Sequence, residues 1–108
     1  MVDTLKRLGT QLVGTNASDT VYTVPAATMA SCATLLITNR GTVERTCRVW
    51  FVPNGETLND RHAILWNQKV DGEDIYPMTI GLSMSTGDRI IWNGNPDLNI
   101  ALWGVEVA

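Results

Sequence analysis

The apolar positions of this chain fall in short alternating runs, and the clearest of them lie between residues 32 and 53. Residues 34–38 and 46–52 are rich in β-branched and apolar side chains, and Asn39, Arg40, Gly41 and Thr42 between them carry turn chemistry. This spacing predicts a β-hairpin. Side chains alternate along a strand, so Leu35 and Ile37 share one face of its first strand and Cys47, Val49 and Phe51 share one face of its second. Pairing those faces buries a single apolar sheet and turns Arg48 and Trp50 outward.

The same reading extends along the chain. Residues 6–13 predict a first strand broken by Gly9. Leu5, Leu8 and Leu12 also fit helical spacing, but Gly9, Thr10, Val13 and Gly14 oppose so short a helix. Residues 20–24 form a short strand with Tyr22 and Val24 on one face, stopped by Pro25, and 26–31 read as a turn or a single helical turn. A long polar connection with a short helical piece is expected over 53–61. Residues 63–70 follow as a strand with Ile64, Trp66 and Val70 together, then a turn at 71–73. The strand at 74–80 contains Pro77, which confines it to an edge or a bulge. Residues 89–92 pair Ile90 with Trp92, and 98–107 alternate Leu98, Ile100, Leu102 and Gly104 against Asn99, Ala101, Trp103 and Val105. About eight short strands separated by Gly, Pro, Asn and Asp predict an all-β fold, an antiparallel two-sheet β-sandwich of jelly-roll or Greek-key type. Residues 1–108 are expected to make one such domain, from which an amino-terminal segment, 1–18, can extend.

Composition narrows the function. Hydrophobic residues make up 44% of the 108 and charged residues 18%, a globular balance. No apolar run approaches the roughly 20 residues that span a bilayer, so no membrane role is expected. Lys6 and Arg7 are not followed by an apolar block of signal-peptide length. The net charge of −3 argues against nucleic acid, whose binders concentrate cations on one face. Arg40, Arg45 and Arg48 do cluster around the predicted hairpin turn, but with Glu44 among them they read as a solvated turn.

Catalytic and metal chemistry is sparse. Cys32 has the opposite parity to Leu35 and Ile37, so a bridge to Cys47 is not expected and both thiols should be free. With His62 the single histidine, no zinc set can be assembled, and its neighbours Glu56 and Asp60 have no spacing that specifies a triad or dyad. Asp71, Glu73 and Asp74 offer the oxygen ligands calcium takes, yet three acids in a turn read as a solvated surface. The chain is therefore expected to be no enzyme and to hold no cofactor or metal.

The four tryptophans carry the remaining signal. Trp66 and Trp92 read as core. Trp50 and Trp103 have outward parity, and together with Ile91 and Val105 they suggest a sheet face covered by another subunit. Arg48, Lys6 and Arg7 complete the expected contact set. Outward tryptophans also suit sugar rings, which makes a carbohydrate-binding module a further alternative.

The succession LKRLGTQLVGT, VYTVPA, LLITNRGT, RVWFVPNGETL, STGDRIIW and ALWGVEV resembles small β-sandwich structural proteins of tailed-bacteriophage virions. The likeness covers nearly the whole chain and rests on strand ends and turns that carry no chemistry. It implies a capsid cement or decoration protein, or else a module of the tail, neck, baseplate or fibre. The start at Met1 favours a stand-alone, repeated add-on. The implied partners are further copies of the chain, a trimer being favoured, and the major capsid protein or other virion proteins. The implied place is the virion, after synthesis in the host cytoplasm.

Overall fold

The computed structural model describes the backbone of residues 3–108 and the side chains of residues 7, 8 and 12–108. Eight strands follow one another: β1 (Asp3–Val13), β2 (Ser18–Thr23), β3 (Met29–Asn39), β4 (Arg45–Val52), β5 (Ala63–Val70), β6 (Ile75–Met84), β7 (Arg89–Gly94) and β8 (Leu98–Val107). They form two antiparallel four-stranded sheets, ordered β1-β8-β3-β6 (sheet A) and β2-β7-β4-β5 (sheet B). Every connection except β4–β5 passes from one sheet to the other, which makes the sandwich an eight-stranded jelly roll. The inner faces meet in one core, where Leu35, Ile37, Leu98, Ile100 and Leu102 of sheet A pack against Val49, Ile90 and Trp92 of sheet B.

The predicted hairpin does not exist. β3 pairs with β6 and β8 while β4 pairs with β5 and β7, so residues 40–44 arch over the edge of the core from one sheet to the other. The apolar faces chosen from alternation are nonetheless right, because they meet across the sandwich rather than side by side. Phe51 is only half-buried at the margin of that core.

Asn39 builds the arch. Its side chain is buried, and Nδ2 donates to the carbonyls of Val43 at 2.9 Å and Val70 at 3.0 Å, while Oδ1 accepts from the Gly41 amide at 2.9 Å. One amide thus ties β3, the arch and the end of β5 together. Asp97 holds the arch from outside, accepting from Arg45 at 3.1 Å, and a β-carbon on Gly41 would lie 2.6 Å from its carboxylate.

Bulges explain two further departures. A register shift between Cys32 and Thr34 resets the alternation, so Cys32 lies fully inside, on the same side as Leu35. Both thiols are free and buried in one core, and burial pushes each up to about 11, which keeps them protonated and unreactive. In β5, Asn67 adopts a left-handed backbone (φ 51°) at a break in the pairing with β4. Leu65 and Val70 therefore enter the core, and Trp66, expected there, stands 47% exposed.

The remaining elements follow the sequence closely. β1 is a strand rather than a helix, and residues 3–13 of the segment expected to extend from the domain form this edge strand. β6 runs four residues further than predicted, to Met84, and lies at an edge of sheet A, one of the two places that Pro77 allows.

Candidate interaction surfaces

The connection between β4 and β5 folds back over sheet B. It ends in a single 3₁₀ turn, Asp60–His62, which Asn59 caps by accepting from the Arg61 amide at 3.0 Å. His62 is buried, and both ring nitrogens are committed: Nδ1 accepts from the Asn59 amide at 3.0 Å and Nε2 faces Glu56 Oε1 at 3.1 Å. Arg61 donates to the same oxygen at 2.6 Å, and Arg89 donates to the Glu56 carbonyl at 2.6 Å. The histidine is a structural staple of this loop.

That loop overturns two exposure expectations. Trp50 and Ile91 do point away from the main core, as parity requires, but Leu58 and Ala63 pack over them and over Val52 in a second apolar cluster. Neither is available to a partner. The indole N–H of Trp50 is buried without a hydrogen-bond partner among the described residues.

Glu56 gives the loop a pH dependence. The His62 and Arg61 hydrogen bonds hold its carboxyl below the usual 4.5. The folded chain therefore binds this proton less readily than the unfolded chain, so the contribution is complete above 4.5 and is lost as pH falls below it, through the lowered folded value. Glu56→Gln is expected to lower the thermal midpoint at pH 7 slightly and to narrow its gap from wild type by pH 3, read by differential scanning fluorimetry. A gap that stays constant across that range would show that the carboxylate does not hold the loop.

Sheet A presents the opposite case. Its outer face carries Met29 and Leu36 from β3, Trp103, Val105 and Val107 from β8, and Ile75 and Pro77 from β6. Met29 is 61% exposed and Ile75 52%, and neither β3 nor β6 contains a Lys, Arg, Asp or Glu. Among the described residues no apolar cluster forms over this face. A hollow of about 440 Å³ opens there, between Met29 and Ser31 on β3, Ser83 on β6 and Val105 and Val107 on β8. Exposed edge strands ordinarily carry charges that block pairing with another chain; β6 has only Pro77 and the left-handed Gly81 (φ 56°) to interrupt it.

The expected contact residues therefore divide between surfaces. Trp103 and Val105 lie on the outer face of sheet A, and Arg7 is exposed on β1 in register with Trp103. The side chain of Lys6 lies outside the described residues. Arg48 lies on the outer face of sheet B, where its guanidinium stacks on Trp66 with Cζ 3.8 Å from the ring centroid. Sequence alternation missed Met29, Ile75 and Trp66. The absence of charge from residues 29–39 and 75–84 was a usable signal for the first two, whereas the exposure of Trp66 depends on the bulge at Asn67.

Comparison with known proteins adds nothing to this picture. No family model, curated protein or solved structure matches the chain. Among the described residues no group of His, Cys, Asp and Glu is arranged to hold a metal, and Asp74 of the acidic turn instead accepts from the Ile75 amide at 2.8 Å.

Proposed function

We propose that this protein is a non-enzymatic structural component of a bacteriophage virion, a decoration protein that stabilises the shell as a homo-oligomer. One observation carries the reading: the chain covers the outer apolar cluster of sheet B with its own loop and leaves the apolar face of sheet A bare. An apolar face on which β3 and β6 carry no charge, with Met29 and Ile75 more than half exposed beside a partly exposed Trp103, is costly in water unless a second copy lies on it. The 440 Å³ hollow gives a neighbouring side chain a place to insert. The loops at the sandwich ends then remain free to meet the shell, and repeated copies turn weak single contacts into tight attachment. The likeness of the strand and turn segments to phage virion proteins supports the same reading, as does the commitment of both His62 nitrogens to structure.

Light scattering on the purified chain is expected to give an oligomer, with a trimer favoured. Val105→Glu, which puts a charge beside the hollow on the bare face, should give monomers and reduce binding to expanded capsids by more than tenfold through lost avidity. A wild-type monomer at micromolar concentration would overturn the assignment of this face. Particles carrying the chain only at the tail or neck would replace the decoration role with a tail role.

A further inference from the structure

The geometry points to a binding site for an acidic saccharide on the outer face of sheet B, centred on Trp66 and Arg48. The bulge at Asn67 makes the site. In a regular strand Trp66 and Asn67 would leave opposite faces, but the left-handed backbone at Asn67 turns both side chains outward. Arg48 joins them, its guanidinium stacked on the indole at 3.8 Å and its Nε donating to Asn67 Oδ1 at 2.7 Å. The ring is thus pinned on one face by Arg48 while the residue remains 47% exposed, which leaves an ordered aromatic platform open to a ligand.

Beside it, Thr46, Arg48, Asn67 and Asn93 line a polar hollow of about 230 Å³. Its amide and hydroxyl groups both donate and accept, which matches the hydroxyls of a sugar and offers little to an apolar partner. Charge selects the class of sugar. Strands β4, β5 and β7 contain no Asp or Glu, although the chain as a whole carries a net −3. Two of their cations are occupied, Arg45 by Asp97 and Arg89 by the Glu56 carbonyl. Arg48 and Lys69, the latter in register with Thr46, have no ion pair among the described residues. A carboxylate on the sugar would meet these two cations while its ring stacks on Trp66 and its hydroxyls bond Asn67, Asn93 and Thr46. This face is opposite to the one assigned to assembly, so the site stands whether or not the decoration role does.

The test is a titration of the isolated chain, followed by tryptophan fluorescence and calorimetry. The probes are oligogalacturonate and oligosialic acid, with neutral maltohexaose and inorganic polyphosphate as comparators. Saturable binding to at least one acidic oligosaccharide is expected, weakening with salt and at least tenfold tighter than to either comparator. Trp66→Ala and Arg48→Ala should each weaken it about tenfold or more, and Trp103→Ala on the other face should leave it unchanged. No binding to either acidic oligosaccharide would overturn the proposal. So would equal binding to polyphosphate or to maltohexaose, or binding that survives Trp66→Ala.

Discussion

Trp92→Ala is expected to lower the unfolding free energy by about 3–5 kcal/mol, the range for deleting a buried large aromatic side chain. Trp92 is the largest side chain in the core that is wholly buried, and it lies on the inner face of sheet B in β7, between β2 and β4. Its ring also covers Gly94, where a β-carbon would lie 2.6 Å from the indole. Removing it leaves a void that neighbouring strands cannot close without breaking register. Domains of this size have a total stability of about 5–15 kcal/mol, so the loss is a large share of the whole. The midpoint of urea unfolding, followed by far-ultraviolet circular dichroism, should fall accordingly. Trp92→Phe should be much milder. It keeps most of the apolar volume and removes an indole N–H that has no hydrogen-bond partner among the described residues. If Trp92→Ala unfolds at the wild-type midpoint, the packing described for sheet B is wrong.

Asn39→Ala should cost roughly 3 kcal/mol, because three backbone groups lose their partner at once while an unpaired buried polar group costs about 1–3 kcal/mol. Those groups are the Val43 and Val70 carbonyls and the Gly41 amide, and water reaches the freed sites only in part, which holds the sum near the lower end. Asn39→Asp tests the direction of the bonds. A carboxylate can still accept from Gly41 but cannot donate to either carbonyl, and it buries a charge at a position only 1% exposed. It should be at least as damaging as alanine despite its matching shape. Thermal unfolding reads the stability, and faster hydrogen exchange at the Gly41 amide reads the opening of the arch. A stable Asn39→Asp variant would mean that the donor bonds contribute little.

The architecture was legible in the sequence because alternation and turn residues act locally. Leu98, Ile100 and Leu102 against Trp103 and Val105, the stop at Pro25 and the edge or bulge expected from Pro77 all came from neighbours a few residues apart. What could not be read was which strand lies beside which. Residues 34–52 have the hydrophobic pattern of a hairpin, and an arch between two sheets requires the same pattern, since both bury one face of each strand. The distinction rests on Asn39 reaching Val70, 31 residues away. The bulges at Cys32–Thr34 and Asn67 were equally hidden, because a single extra residue reverses parity without leaving a mark in composition. They account for the errors at Cys32 and Trp66. Trp50 failed for another reason: its parity was right, but a loop eight residues later covers it through Leu58. For the candidate surfaces, Trp103 and Val105 were legible from alternation, whereas the Trp66 platform was not.

The jelly-roll connectivity also governs how the chain can reach its native state. β3 finds both of its neighbours, β6 and β8, later in the chain, and β1 pairs only with the last strand, Asp3 standing opposite Val107. As the chain leaves the ribosome, only β4 and β5 can pair at short range. Sheet A has no completed pair involving β1 until β8 (Leu98–Val107) has been made, so folding of this sheet waits for β8 and proceeds at the slow pace of non-local β topologies. During that wait the charge-free segments of β3 and β6 are exposed together, and they are the stretches through which unfolded copies would aggregate.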